Sequence, residues 1–363
     1  MKKYFILLLF FAASCSHQNV DEKIARDLQK NWAQYFTQDF EDTKDVVVFV
    51  ATNRQSKNDK FGCAPSQFTM KLDNKMRFGA CKINVPKNHK IGEISAAKDE
   101  KDSLDNVFKI KEEKILSLQE IVADVKKSNR TPLVFVHGFN VDYQEALFRA
   151  AQIAYDLKYQ GPIILFSWPS GAGDGLMESA MINRTYDNNL NSAKNSVADF
   201  KNLMMTLQGE KIKVNLTVHS MGHHVVLNAL SELAQENPEK TFVDNLILNA
   251  PDFEVDDFHS VVATVKKTSG RITLYCSSND KAIIVSEILN KNNRVGACLY
   301  APDVETVNVS LIDDSLTGLG HGYYYSREVL GDVAQAMMGI DVKNRLFVAR
   351  KRLKIGEKYF LRR

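Results

Sequence analysis

The chain has 363 residues, of which 44% are hydrophobic and 25% charged, and its formal net charge is +3. This composition is that of an ordinary globular protein, and it excludes both a disordered chain and a membrane-embedded bundle as the overall class. The small net charge also argues against nucleic acid as a main partner.

The first residues have the organisation of a secretory signal peptide. Two lysines precede an apolar run over residues 4–13, which is shorter than the roughly 20 residues that a membrane-spanning helix needs. The small residues that end at Cys15 resemble the bacterial lipobox, although its first position is Ala rather than Leu. We predict a cleaved signal peptide over 1–14, lipidation of Cys15, a lipidated tether over 15–22, and a membrane-anchored, periplasm-facing lipoprotein of a bacterial cell envelope. A plain secretory signal is the alternative.

Residues 23–340 are predicted to form one domain, with an N-terminal extension over 23–116 and a core over 117–340. Within the extension the pattern predicts a helix over 23–38, a buried strand over 45–52, a strand over 81–85, and a charged, solvated excursion over 87–114.

From Ser117 onward, strands alternate with helices. Ser117 and Glu120 have the spacing of a capping box, and Asp142 with Glu145 opens the next helix in the same way. This alternation predicts the α/β class, with a mainly parallel, doubly wound sheet and flanking helices. The predicted strands cover 133–136, 163–166, 214–218, 246–248, 271–276 and 306–312, and later helices cover 193–207 and 225–233.

A His-Gly pair follows the first of these core strands. In hydrolases built from such alternation, a loop at this place supplies one donor of the oxyanion hole. We assign that donor to the backbone N–H of Phe139, and we expect His137 either to support the loop or to be a purely structural residue at the strand end.

Aromatic and glycine-rich segments surround the expected site. We predict that Trp168 and Tyr323–Tyr325 either line a substrate pocket or belong to the core. Residues 169–188, which contain three glycines, are predicted to form either a mobile lid or a static loop.

The segment Val218–Gly222 has the form of the nucleophile elbow G-x-S-x-G, except for Val218 at the first glycine position. An apolar strand precedes it and a helical pattern follows it, which is the context in which a sharp turn exposes a serine. We therefore predict Ser220 as the nucleophile and the backbone N–H of Met221 as the second oxyanion donor. An ordinary capped helix start is the alternative, and Val218 leaves the detailed geometry of the elbow open.

The base of a Ser-His-Asp triad is expected after the nucleophile. His321 lies in a glycine-rich loop beyond the last strong strand, and we predict it as the general base. The competing histidines are less suitable, because His223 and His224 lie in the first turn after the elbow and His259 lies in an acidic helical stretch.

The acid is predicted to be Asp280, in the polar turn after the strand over 271–276. Asp252, which follows the preceding strand, is the alternative acid. Asp280 is also well placed to be the N-cap of the helix that begins at Lys281, which would be a purely structural role.

Apart from Cys15, the chain has four cysteines, which lie in two pairs that are close in sequence. Proximity along an oxidised chain pairs Cys63 with Cys81 and Cys276 with Cys298, with buried free thiols as the alternative. No metal-site spacing such as H-E-x-x-H is present, so we predict neither a metal nor a cofactor.

Residues 341–363 form a basic C-terminal tail, which either lies on anionic lipid or packs on the domain as an edge strand or helix.

Taken in order, several of these segments resemble a bacterial family of α/β-hydrolases grouped with esterases and lipases and mostly described as a domain of unknown function. The resemblance covers about residues 45–338 and implies the α/β-hydrolase fold and its triad. The matching segments are residues 49–54, 134–140, 166–170, 219–222, 249–252 and 320–322.

The sequence thus predicts a serine hydrolase, foremost a carboxylic-ester hydrolase that forms an acyl-enzyme. Its expected partners are a small-molecule or lipid acyl ester as substrate and a membrane reached through the N-terminal lipid. Amide or thioester hydrolysis, and a non-catalytic envelope lipoprotein that uses the fold for binding, are the alternatives.

Overall fold

The computed structural model describes residues 45–97, 101–171, 182–299, 301, 304–312, 320–352 and 357–362. The predicted signal peptide, Cys15, the tether and the helix over 23–38 lie outside these residues. No helix in the described ranges is both long and apolar enough to cross a membrane.

The described secondary structure comprises strands and helices in alternation. The strands are β1 Asp45–Ser56, β2 Phe68–Asn84, β3 Lys109–Leu116, β4 Leu133–Val136, β5 Ile163–Ser167, β6 Val214–His219, β7 Val243–Asn249, β8 Ser269–Cys276, β9 Glu305–Asn308, β10 Val348–Arg352 and β11 Glu357–Leu361. The helices are α1 Leu118–Ser128, α2 Tyr143–Asp156, α3 Ile182–Asn195, α4 Val197–Gly209, α5 His223–Glu236, α6 Val255–Thr268, α7 Lys281–Asn290 and α8 Arg327–Met337.

The eleven described strands form one sheet, in the order β10-β11-β9-β8-β7-β6-β4-β5-β1-β2-β3. Neighbouring strands from β11 to β1 are parallel. Among the described strands, the antiparallel pairs are β1–β2 and β2–β3 at one end of the sheet and β10–β11 at the other. The predicted α/β class with a mainly parallel sheet is therefore confirmed.

Both faces of the sheet are covered by helices, and the strand sequences explain why. In β4 all four side chains are apolar and buried, and they point alternately to the two faces. Leu133 and Phe135 join a core that includes α2 and α8, whereas Val134 and Val136 join a core that includes α1, α4, α5 and α6. Each such side chain contributes roughly 1.5–3 kcal/mol on burial.

Helix starts follow the predicted capping residues. The Ser117 hydroxyl accepts from the Glu120 N–H and the Glu120 carboxylate accepts from the Ser117 N–H, which confirms the capping box of α1. The Asp142 carboxylate accepts from the Glu145 N–H at 2.7 Å at the start of α2. These caps satisfy N–H groups that a helix start would otherwise leave unpaired.

Four predicted boundaries are wrong. The strand expected over 81–85 is the last part of the longer β2, Phe68–Asn84, whose earlier residues are mostly exposed or half-buried and show no apolar pattern. The excursion expected over 87–114 ends in β3, an edge strand whose mostly exposed side chains show no apolar alternation. The helix expected over 193–207 covers the end of α3 and most of α4, which are separated at Ser196. The sequence does not predict this break because buried apolar side chains continue on both sides of it. The strand expected over 306–312 is the shorter β9, which ends at Asn308.

Two disulfides tie loops to the sheet. Cys63 is bonded to Cys81 on β2, and Cys276 at the end of β8 is bonded to Cys298. The predicted pairing is confirmed. In the basic tail, the described residues add β10 and β11 to the edge of the sheet next to β9.

Candidate active site

Ser220 lies on a sharp turn between β6 and the helical residues that lead into α5. Its φ is +51°, a left-handed conformation that non-glycine residues adopt only when the surrounding structure enforces it. Val218, which replaces the usual glycine of the elbow, is fully buried and pairs in register with Val136 on β4 and Leu248 on β7. The valine is thus accommodated in the core, and the turn still has the conformation expected of a nucleophile elbow.

The loop after β4 lies directly against this turn. A Cβ atom on Gly138 would be 2.8 Å from Ser220 Cβ and 2.9 Å from His219 Nδ1, so only glycine allows the observed approach. A Cβ on Gly222 would likewise lie 2.5 Å from the His137 carbonyl oxygen. The loop that carries Phe139 and the turn that carries Ser220 are therefore held together through two glycines.

Asp280 and His321 are brought together from distant parts of the chain. Asp280 Oδ2 lies 2.7 Å from His321 Nδ1, and the carboxyl group is fully buried. Since a carboxylate only accepts hydrogen bonds, Nδ1 of the imidazole is the donor, and Nε2 of the neutral ring is left as the acceptor. This is the orientation that a general base needs.

The second oxygen of Asp280 has the structural role that the sequence left as an alternative. Asp280 Oδ1 accepts from the N–H groups of Ala282 and Ile283, each at 3.1 Å, and so caps α7. The two roles are compatible because they use different oxygen atoms. The cap holds the carboxylate in a fixed position relative to His321.

Ser220 and His321 both line one pocket of about 410 Å³. One wall comes from α7, and other parts come from the loop after β4, from α2 and α3, from the ends of β6 and β7, and from the residues at and after His321. The full lining is Phe139, Asn140, Val141, Glu145, Arg149, Tyr186, His219, Ser220, Asp252, Ala282, Ile283, Val285, Ser286, Leu289, His321, Gly322, Tyr324 and Tyr325.

The alternative acid, Asp252, lies in the same pocket with other partners. Its carboxylate accepts from the Ser286 hydroxyl at 2.5 Å and the Tyr186 hydroxyl at 3.0 Å, and Arg294 Nε is 3.3 Å away. Burial and the Asp252 charge raise the pKa of Tyr186, so this hydroxyl remains a donor. The carboxylate that contacts His321 is that of Asp280.

The three histidines that the sequence makes less suitable as the general base lie away from the pocket surface. His223 Nδ1 is 2.6 Å from the Ser220 carbonyl oxygen, and burial lowers the pKa of His223 to about 3. Burial also lowers the pKa of His224 to about 4. His259 lies on the exposed face of α6. Among the described residues that line the pocket, the histidines are His219 and His321.

His219 is a site residue that sequence reasoning missed. Its Nε2 donates to the carbonyl oxygen of His321 at 3.2 Å, and its ring stacks on Tyr324 with 3.9 Å between centroids. Burial and the neighbouring His321 hold the pKa of His219 well below its ordinary value, so the ring is neutral. The residue before the serine thus supports the backbone of the proposed base.

Arg54 is a second residue that was missed. Its guanidinium is buried at the end of β1 and donates to the carbonyl oxygens of Ser170 at 2.8 Å and Val141 at 2.9 Å, and to the Ser167 hydroxyl at 2.9 Å. Burial lowers the pKa of Arg54 to about 10, which still leaves it charged at neutral pH. A single side chain therefore joins β1, the loop after β4 and the segment after β5.

His137 and Trp168 extend this network. The Trp168 indole N–H donates to the His137 carbonyl oxygen at 2.8 Å, and the two rings are stacked 5.2 Å apart. Burial and the nearby Arg54 charge hold the pKa of His137 well below its ordinary value. Trp168 therefore supports the loop from the core, whereas Tyr324 and Tyr325 line the pocket.

The segment considered as a lid is described only at its ends, because residues 172–181 lie outside the described ranges. At its start, the Asn189 side chain accepts from the Gly171 N–H and donates to the Gly171 carbonyl oxygen, each at 3.0 Å. In the described part of the chain, no group of three or more His, Cys, Asp or Glu side chains is arranged to hold a metal ion.

Similarity to known proteins agrees with this architecture. A family model described as "Alpha/beta hydrolase of unknown function (DUF900)" matches residues 114–339. No curated protein matches the chain.

Solved structures to which the chain shows some similarity include two named enzymes. A phospholipase, PlaB from Legionella pneumophila, is 12% identical, with a TM-score of 0.29 over 64% of this chain and 68% of its own. An esterase from Pyrobaculum calidifontis is 8% identical, with a TM-score of 0.34 over 88% of this chain and 93% of its own.

Proposed function

Because the chain belongs to this family of α/β-hydrolases, we propose that it is a serine hydrolase and, within that class, a carboxylic-ester hydrolase. The observation that carries the proposal is the 2.7 Å hydrogen bond between Asp280 and His321 at a pocket that Ser220 also lines. An alcohol, an imidazole and a buried carboxylate at one pocket are the groups that acyl transfer requires.

In the proposed mechanism, Ser220 Oγ attacks the acyl carbonyl carbon while His321 Nε2 takes the hydroxyl proton. Asp280 stabilises the resulting imidazolium through Nδ1. His321 then gives the proton to the departing alcohol, and water activated by the same ring releases the acid and restores Ser220.

The oxyanion is proposed to accept hydrogen bonds from the backbone N–H groups of Phe139 and Met221. The close approach at Gly138 supports this assignment, because it leaves the loop that carries Phe139 in contact with the turn that carries Ser220. Removal of one such donor typically costs about 10²–10³ in kcat.

The α7 wall of the pocket is largely aliphatic, which favours a substrate whose acyl group is a hydrocarbon. Ala282, Ile283 and Leu289 contribute to this wall, and such a surface suits the hydrocarbon part of an acyl group. Amides and thioesters pass through the same tetrahedral chemistry and are the alternative substrates.

The test is hydrolysis of p-nitrophenyl esters of increasing chain length by the purified chain, with parallel amide and thioester substrates. We expect ester turnover that falls about 10³-fold or more in both Ser220→Ala and His321→Ala. The exposed Arg184→Met is a matched surface control that should retain activity. Absence of turnover on all three substrate classes would favour the binding-protein alternative.

We also propose that the protein is a lipoprotein of the bacterial cell envelope, anchored through Cys15. Two disulfides support an oxidising compartment, because such bonds are rare in the cytosol. Mass spectrometry of the mature N-terminus tests this location: an acylated Cys15 is expected, and a free N-terminal residue elsewhere would contradict it.

A further inference from the structure

Helix α7 is apolar on two opposite sides, although it lies at the surface. On its inner side, Ile283 and Leu289 line the pocket. On its outer side, Ile284 is 41% exposed and Ile288, one turn later, is 70% exposed. A surface helix normally places polar residues on its outer side, but here two exposed isoleucines share that side with the exposed Lys281. Exposed apolar side chains grouped in this way are typical of a contact surface.

Two further side chains extend this outer face. Val285 is 38% exposed and also lines the pocket. Leu311 is 67% exposed and lies near the start of α7, because the neighbouring Ser310 hydroxyl accepts from the Ser278 N–H at 2.8 Å. We call Ile284, Val285, Ile288 and Leu311 the α7 patch.

Val285 makes the α7 patch continuous with the mouth of the pocket. An apolar molecule that covers Val285 therefore contacts both the patch and the wall of the pocket. A partner protein bound there would gain nothing from this continuity, whereas a layer of acyl lipid would supply both the apolar surface and the substrate.

We infer that the α7 patch docks on the surface of an aggregated acyl lipid, and that the substrate is a water-insoluble ester drawn from that surface. The identification of the substrate rests on the proposed ester hydrolysis, whereas the docking itself does not. Transfer of the isoleucine side chains from water to lipid is favourable because it removes their apolar surface from water.

Docking is tested with single tryptophans introduced by Ile288→Trp and, as a control, Ile115→Trp. Ile115 is 62% exposed but lies on β3, at the opposite end of the sheet from β10. The full chain carries two native tryptophans, whose signal in the unsubstituted protein is subtracted. The probe is a vesicle of brominated phosphatidylcholine, which has no net charge and therefore does not attract the basic tail.

We expect brominated lipid to quench about half or more of the fluorescence added at position 288 and little of that added at position 115, since interfacial side chains sit about 5–10 Å into the lipid. Equal quenching at both positions would overturn the inference. A concentration-dependent blue shift at position 288 without lipid would also overturn it, by assigning the patch to a second copy of the chain.

A kinetic experiment tests the consequence for substrate. For Ile284→Ser/Ile288→Ser we expect at least about a tenfold loss of turnover on an ester dispersed as vesicles, and less than a twofold change on a soluble short-chain ester. Ile115→Ser should leave both rates unchanged. Unchanged vesicle turnover in the double variant would contradict the inference. If the unsubstituted protein hydrolyses neither the dispersed nor the soluble ester, the proposed function is contradicted instead.

Discussion

At the scale of single residues, Asp280 combines a structural and a chemical role through its two oxygen atoms. Asparagine retains an oxygen that can cap α7 but removes the carboxylate that faces His321. We expect Asp280→Asn to lower kcat/KM by about 10³–10⁴-fold, while the cap itself changes stability by only a few tenths of a kcal/mol.

The matched variant Asp280→Ala removes both roles. It should lose activity to the same degree and, in addition, about 1 kcal/mol of cap energy, measured as the free energy of unfolding in urea. Equal activity of Asp280→Asn and the unsubstituted protein would remove Asp280 from the proposed triad.

Gly138 gives a second prediction at this scale. A methyl group there meets Ser220 Cβ at 2.8 Å, so Gly138→Ala must displace the loop that carries Phe139. We expect kcat to fall about 10²-fold with little change in KM, because the proposed oxyanion donor moves relative to the reacting carbon. Steady-state kinetics measures this split, and Gly209→Ala, where an added Cβ meets nothing within 4 Å, is the control.

The sequence predicts those site residues whose role follows from a local motif. Ser220 follows from the elbow pattern, and its left-handed backbone matches that expectation. Arg54 and His219 were missed because their partners are backbone carbonyl groups far along the chain, which no spacing rule records. The double role of Asp280 does not follow from the sequence, because a helix cap and a histidine partner both favour an aspartate. Only the structure shows that one carboxylate fills both roles.

At the scale of elements, Arg54 fastens the loop after β4 to two strands. Its removal leaves the buried carbonyl oxygens of Val141 and Ser170 without this donor. We expect Arg54→Met to lower the free energy of unfolding by about 2–4 kcal/mol and to lower kcat, because the loop that carries Phe139 is released.

Chemical denaturation and steady-state kinetics on the same preparation test this expectation. The exposed Arg184→Met should stay within about 0.5 kcal/mol of the parent protein. An Arg54→Met protein with unchanged stability and turnover would show that the loop is held by other contacts.

The elements themselves were predictable to different degrees. Capped helices such as α1 and α2 were recognised because cap residues and apolar periodicity agree. Strand β3 was missed because an edge strand exposes charged side chains on both faces and needs no apolar alternation.

At the scale of the whole molecule, burial of neutral histidines makes stability depend on pH. His137, His219, His223 and His224 are all buried with lowered pKa values. Protonation therefore favours the unfolded chain, and the stability present above pH 6.5 is lost as the pH falls below the ordinary histidine pKa.

Each of these histidines is expected to cost up to about 1.4 kcal/mol per pH unit below pH 6.5, until its own pKa in the folded state is reached. Burial raises the pKa of Asp332, so this group acts in the opposite sense and favours the folded chain as the pH falls toward its own folded-state pKa. Urea unfolding at pH 7.5 and 5.5 should differ by about 3–5 kcal/mol. His224→Gln should reduce the difference. A free energy of unfolding that is the same at both pH values would contradict this prediction.

Ser220 is proposed to be an activated nucleophile at a pocket that His321 also lines. A fluorophosphonate reacts with such a serine, and peptide mass spectrometry of the labelled protein locates the adduct. We expect one adduct, on Ser220, which is absent in Ser220→Ala and forms much more slowly in His321→Ala. A protein that stays unlabelled, or that is labelled at another residue, would contradict the proposal.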